Sequence, residues 1–149
     1  MRAGNDVKEY RNLEFIPGKW TQLREGADFS LLCTGTMVRH GLTAARLLAE
    51  KGKQAAVYNC SSVKPLDQET LKNIQGKPFY TLEEHMCTGG FGEYVRECCA
   101  RMGLSEPGIC FGVPDQFLNH GNHMLLMRDA GLTPEIITQK ILAALRMGI

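Results

Sequence analysis

The sequence predicts an α/β protein of three layers, in which helices cover both faces of a mostly parallel sheet of about five strands. Short apolar runs that end at turn-forming residues alternate with segments whose apolar residues recur at helical spacing. This alternation is typical of strand–helix units, whose strands lie side by side in the same direction. With 149 residues, of which 44% are hydrophobic, the chain has the length and composition of one globular domain.

The charge and the apolar pattern argue against several classes of partner. A net charge of +1 gives no basis for electrostatic capture of nucleic acid or of an anionic membrane. The apolar runs are too short to cross a bilayer, and residues 1–6 contain no apolar signal core. We therefore expect a cytoplasmic protein that binds neither nucleic acid nor a membrane.

The six cysteines are interpreted as free thiols, in keeping with a reducing compartment. No CxxC pair occurs, and no two pairs have the spacing of a zinc site. The pairs His85/Cys87 and His120/His123 are not interpreted as metal ligands. No metal site is expected.

Residues 1–26 are assigned to an interdomain linker and arm, and residues 27–149 to the domain itself. Residues 1–12 are polar and without periodicity, so they are typical of a linker or of the end of a larger protein. Residues 13–26 contain two short apolar pieces around Pro17 and Gly18, which predict a hairpin-like arm that ends at Gly26.

The first strand–helix unit covers residues 29–52. The apolar run 29–34 stops at Gly35 and predicts a buried strand. The next apolar residues recur at positions i, i+4, i+7 and i+11, and they predict a helix that Gly52 ends. These residues are Val38, Leu42, Ala45 and Ala49.

The second unit consists of a strand over residues 54–58, a connector over 63–66 and a short helix that Gly76 closes. Proline in the connector disfavours helix at the residue before it. Asp67 is suited to accept a hydrogen bond from a free backbone N–H at the helix start. Leu71 and Ile74 are the predicted inner face of this helix.

The third and fourth units follow in the same way. A strand over 79–82 ends in Glu83-Glu84-His85, and the glycine-rich turn 88–92 opens a helix that Gly103 ends. The fourth strand covers 108–113 and is closed by Pro114 and Asp115. A short helix near 125–127 and a last helix that begins at Thr133-Pro134-Glu135 complete the pattern. The predicted inner residues of the two longer helices are Val95, Cys98, Cys99 and Met102, then Ile137, Ile141, Ala144 and Leu145.

Polar side chains are expected at the carboxyl ends of the strands, where parallel sheets bind ligands. Glu83, Glu84 and His85 could perform acid–base chemistry. They could equally be satisfied by a neighbouring chain or domain, and we favour this interface because the sequence supplies no nucleophile, cofactor loop or metal. The candidate interface or ligand-edge residues are Thr36, Glu83, Glu84, His85, Gly89, Gly90, Gly92, Asp115 and His120, and no catalytic residue is assigned.

The glycine-rich turn allows two interpretations. Gly89, Gly90 and Gly92 before a helix could present free backbone N–H groups to an anion. Close backbone packing is the interpretation we favour, because the GxGxxG fingerprint and the GxxxxGK[ST] loop are both absent.

Ordered motifs give the chain a resemblance to a known family. The segments are DFSLLCTGTMV at 28–38, VKPLD at 63–67, TLEEH at 81–85 with GGFG at 89–92, and GVPDQF at 112–117. In this order and spacing they resemble the transketolase C-terminal domain over roughly residues 13–147, as do IPGK at 16–19 and LREG at 23–26. Within that superfamily the tail, with HG at 120–121 and AGLT at 130–133, looks most like the 1-deoxy-D-xylulose-5-phosphate synthases.

The resemblance implies a place in a larger enzyme. Enzymes of this superfamily use thiamine diphosphate and magnesium to move two-carbon or acyl units from a ketone donor to an aldehyde. Each subunit has three α/β domains, the subunits pair as dimers, and the cofactor lies between the first two domains. The GDG…N motif that holds the metal and the diphosphate is absent here.

The resemblance therefore implies a non-catalytic C-terminal domain that supports dimer and interdomain contacts, in an enzyme of the synthase type that serves isoprenoid biosynthesis. Its partners would be the remaining domains or subunits of a homodimer. This domain would bind no cofactor itself, and the isolated chain is expected to be inactive. A free-standing small-molecule or regulatory binding module, and the separate subunit of a split transketolase, remain as alternatives.

Overall fold

A five-stranded sheet organises residues 14–114 and 127–149, which are the residues described by this computed structural model. The strand order is β1-β3-β2-β4-β5. Strands β2 to β5 are parallel, and β1 is antiparallel to β3. The predicted mostly parallel sheet of five strands is confirmed. The strands are β1 (Thr21–Arg24), β2 (Phe29–Cys33), β3 (Ala55–Asn59), β4 (Phe79–Met86) and β5 (Ile109–Val113).

Helices cover both faces of this sheet, which confirms the predicted three layers. The longer helices among the described residues are α1 (Met37–Glu50), α2 (Gln68–Asn73), α3 (Phe91–Met102) and α4 (Pro134–Arg146). One apolar core joins α1 and α4 to the sheet, and a second joins α2 and α3 to the other face. Strand β2 lies between the two cores: Leu31 belongs to the first and Leu32 to the second, and every residue of this strand is buried. Such two-sided burial explains why the strand is a continuous apolar run.

Local sequence signals act where they were predicted. Asp67 accepts a hydrogen bond of 3.0 Å from the backbone N–H of Thr70 at the start of α2. The side chain of Thr133 accepts one of 3.3 Å from Ile136, with a proline in the first turn of α4. Gly103 takes a left-handed φ of +69° and ends α3, where a residue with a Cβ would be strained.

Two predicted elements differ in the structure. β4 does not stop at residue 82 but continues to Met86, so Glu83, Glu84 and His85 are strand residues. The hairpin-like arm is wrong: β1 pairs with β3 instead, with Thr21 opposite Asn59. β1 lies before the predicted boundary at residue 26, and Gly26 permits its close approach, since a Cβ there would lie 2.1 Å from the carbonyl carbon of Ala55.

The thiol prediction is confirmed, because all six cysteines are thiols and none of them forms a disulfide. Cys33, Cys60, Cys98 and Cys99 are buried, whereas Cys87 and Cys110 are half-buried.

Several predictions fall on undescribed parts of the chain. Asp115, His120 and the beginning of the short helix near residue 125 lie outside the described residues. Residues 127–129 are helical, and this turn ends at Gly131, as predicted. Among the described helices, none combines the length and the apolar content that a membrane span requires.

Candidate functional site

A cavity of about 640 Å³ opens at the carboxyl edge of the central strands β2 and β4. The turn after β2, the end of β4, and the glycine-rich turn with the first turns of α3 line it. The connector between β3 and α2 closes the rim. The lining residues are Thr34, Gly35, Val63, Lys64, Glu83, Glu84, His85, Gly89, Gly90, Phe91, Glu93, Tyr94 and Glu97.

Glu83 is the buried polar centre of this region, with only 1% of its surface exposed. Its Oε1 accepts a hydrogen bond of 2.9 Å from the backbone N–H of Phe91, and its Oε2 accepts one of 2.7 Å from Gly92. The N-cap residue of α3 is Gly90, which has no side chain to satisfy these donors. A carboxylate from β4 thus caps α3 and places negative charge at the positive end of its dipole.

The glycines of the turn make room for this arrangement. A Cβ on Gly90 would lie 2.1 Å from Oε1 of Glu83 and 2.3 Å from the carbonyl oxygen of Met86. A Cβ on Gly92 would lie 2.7 Å from Oγ1 of Thr81. The positions therefore require close packing, which supports the interpretation favoured from the sequence. An anion bound at this helix start would have to displace Glu83.

The protonation of Glu83 reflects two opposing effects. Burial raises the pKa of Glu83, because a charged carboxylate is poorly solvated there. The hydrogen bonds from Gly92 and Phe91 and the charge of His85 lower the pKa, whereas Glu93 raises it. Burial prevails, and the pKa of Glu83 lies above its ordinary value.

Glu84 and His85 have a different setting from Glu83. Glu84 is half-buried and accepts a hydrogen bond from the hydroxyl of Thr36, which joins the start of α1 to β4. His85 is exposed at the cavity. The candidate residues that the structure gathers around the cavity are Thr36, Glu83, Glu84, His85, Gly89 and Gly90, with Gly92 packed behind it. That these residues contact a neighbouring domain stays a prediction.

Sequence reasoning missed the cavity residues that α3 and the connector supply. Glu93, Tyr94 and Glu97 lie on the first turns of α3, and their spacing could have placed them on one face. Lys64 comes from the connector, and its Nζ lies 5.5 Å from the centroid of the Tyr94 ring. Nothing local in the sequence pairs residues 30 positions apart.

The described residues do not fit a metal–diphosphate group. Among residues 14–114 and 127–149, no cluster of three histidine, cysteine or acidic side chains is arranged to hold a metal ion. The helix start that would bind a phosphate is already capped by Glu83. Among the described lining residues, Glu84, Glu93 and Glu97 outnumber the ammonium of Lys64, a balance of charge that disfavours an anion.

The fold and the cavity define a three-layer α/β domain in which glutamates line the carboxyl edge of the central strands. The chain belongs to the family described as the C-terminal domain of transketolase, whose model matches residues 18–137.

Two relatives carry the name 1-deoxy-D-xylulose-5-phosphate synthase. The protein of Pelotomaculum thermopropionicum is 39% identical over 94% of this chain and 23% of its own length. That of Symbiobacterium thermophilum is 41% identical over 86% of this chain and 20% of its own length. A solved structure titled "Split gene transketolase, inactive beta4 tetramer" has a TM-score of 0.80 and 32% identity, over 91% of this chain and 45% of that one. The chain thus spans less than a quarter of the two synthases.

Proposed function

We propose that this chain acts as the C-terminal domain of a thiamine-diphosphate-dependent transferase of the 1-deoxy-D-xylulose-5-phosphate synthase type. In this role it supports contacts with the remaining domains and between the subunits of a homodimer, and it takes no part in the chemistry. The similarity to two synthases over at least 86% of this chain supports the type of enzyme.

The observation that carries the supporting role is the internal cap of α3. Glu83 already occupies the helix start at the edge where parallel sheets bind ligands. A diphosphate would meet this carboxylate and the glutamates of the cavity rather than free donors. Cofactor binding would then belong to the other domains of the enzyme.

Calorimetry tests the role directly. Thiamine diphosphate with magnesium, titrated into the chain alone, should give no saturable heat. The same titration into an assembly that contains the remaining domains should give a saturable signal, which is the positive control. Saturable binding to the chain alone contradicts the proposal, and so does failure of the chain to associate with the remaining domains.

A second candidate function has one specific observation in its favour. The chain is 32% identical to the solved split-gene transketolase, and it spans 45% of that polypeptide. It could therefore complete a transketolase as a portion of a separate subunit. Mixing it with a polypeptide that carries the cofactor-binding domain distinguishes the two candidates: recovery of transketolase activity favours this one, and recovery of synthase activity favours the first.

A further inference from the structure

We infer that the cavity between β4 and α3 is a binding site for a cationic side chain, an arginine or a lysine, presented by another domain of the enzyme. This inference rests on the proposed function, because the partner is one of the domains that this chain contacts. It goes further by assigning the chemistry of the contact and the residues that make it.

The charge of the lining selects a cation. Among the described lining residues, four carry carboxylates, and Lys64 is the only lysine or arginine. Glu97 has neither a hydrogen bond nor an ion pair with any described residue. Glu84 accepts a hydrogen bond from the hydroxyl of Thr36, and Glu93 accepts one from the backbone N–H of Gly89. Both donors are neutral, so they do not compensate the negative charges of the two glutamates. A guanidinium group offers five N–H donors to such carboxylates, in a planar arrangement that matches them.

The contact between Lys64 and the ring of Tyr94 shows how the cavity holds a cation. The ammonium of Lys64 lies over the face of Tyr94, 5.5 Å from the ring centroid. The chain's own side chain thus occupies the position that we assign to the partner. Lys64 is exposed, and a cation–π contact at an exposed site is weak, so an incoming cation can displace it.

The cap that Glu83 forms on α3 argues against an anion in this cavity. An anion at this edge would need the N–H groups of Phe91 and Gly92, and Glu83 accepts both. The glycine-rich turn therefore shapes a cation site, although glycines before a helix could also present N–H groups to an anion.

The site is tested with butylguanidinium chloride, added to the isotopically labelled chain and followed by NMR. We expect saturable shifts of the Tyr94 ring and of the Gly89 and Gly90 amides, which added salt weakens. Glu97→Gln should weaken binding about two- to fivefold. Glu50→Gln, at the exposed end of α1, is the matched control and should leave binding unchanged. Absence of saturable shifts, or preferential binding of pentanoate, overturns the inference.

The source of the cation is tested in the assembly with the remaining domains. Glu97→Lys should weaken this assembly at least about tenfold, whereas Glu50→Lys should not, and both variants should keep the melting temperature of the chain. If butylguanidinium binds but Glu97→Lys leaves the affinity of the assembly unchanged, the ligand is a free small cation and our assignment is wrong. If the unmodified chain does not assemble at all, the proposed function fails, which is distinct from a failure of the cavity to bind the probe.

Discussion

The backbone N–H of Trp20 donates a hydrogen bond of 2.9 Å to the carboxylate of Asp67, across 47 positions of sequence. The indole N–H of Trp20 donates a second one, of 2.8 Å, to the carbonyl oxygen of Ser62. The rings of Trp20 and Phe91, the first residue of α3, form a T-shaped pair with 6.0 Å between their centroids. Trp20, which precedes the domain core, therefore contacts both the β3–α2 connection and α3, which line the cavity.

Replacement of Asp67 by alanine should destabilise the chain by about 2–4 kcal/mol, because it removes the cap of α2 and leaves the N–H of Trp20 without its acceptor. Glu69→Ala is the control. It removes only an exposed ion pair with Lys19 and should cost about 0–1 kcal/mol. Urea unfolding of both variants measures the difference, and equal losses would contradict the assignment.

The same carboxylate predicts a loss of stability in acid. Burial pushes the pKa of Asp67 up, but hydrogen bonds from Thr70 and Trp20 outweigh it, and the pKa lies below its ordinary value. This stabilisation is present above the unfolded pKa of about 3.9 and is lost as the pH falls through the lower folded pKa. Asp67→Asn should therefore reduce the acid sensitivity of the unfolding free energy below about pH 4.

Glu83 predicts the opposite dependence on pH. Its pKa is raised in the folded chain, so its contribution is greatest below the unfolded pKa of about 4.3 and is lost as the pH rises through the folded value. The unfolding free energy of the unmodified chain, minus that of Glu83→Gln, should fall between pH 4 and pH 7. An increase would mean that the hydrogen bonds from Phe91 and Gly92 outweigh burial.

The glycine-rich turn offers a matched pair of substitutions. Gly90→Ala places a Cβ against Glu83 and the backbone of Met86, and it should cost about 1–3 kcal/mol. Gly89→Ala meets no atom within 4 Å, and only its φ of +74° opposes the change, at about 1–2 kcal/mol. Gly90→Ala should in addition abolish the butylguanidinium response, because the wall of the cavity must move. Gly89→Ala should keep that response.

The thiols should react in two groups. Cys87 and Cys110 are half-buried, and they should react with an aromatic disulfide reagent in the native state at pH 8. The four buried thiols should react only on unfolding. Burial raises the pKa of Cys33 and Cys60 far above its ordinary value and that of Cys99 to about 11, so little thiolate forms. Native reaction of all six thiols would contradict the packing.

Much of the fold follows from short-range signals in the sequence. The apolar spacing around Val38 and Val95 predicts helices, and the runs that contain Leu31 and Val57 predict buried strands. The caps at Asp67 and Thr133 act within three residues of themselves, so their partners can be inferred from neighbouring positions. The sequence located the turn that opens α3, but it did not predict that Glu83 of β4 accepts the hydrogen bonds of this helix start.

The sequence by itself determined the layers, the order of the elements along the chain and the acidic character of residues 83–84. Only the tertiary structure decided that Glu83 is buried as the cap of α3 while Glu84 is not, that Trp20 bonds to Asp67, and that Lys64 lies over Tyr94. The physical reason is the separation of these groups along the chain. The strand order β1-β3-β2-β4-β5 brings together groups that are far apart in sequence. Local propensity carries no information about such pairs, because their energy exists only once the sheet has formed.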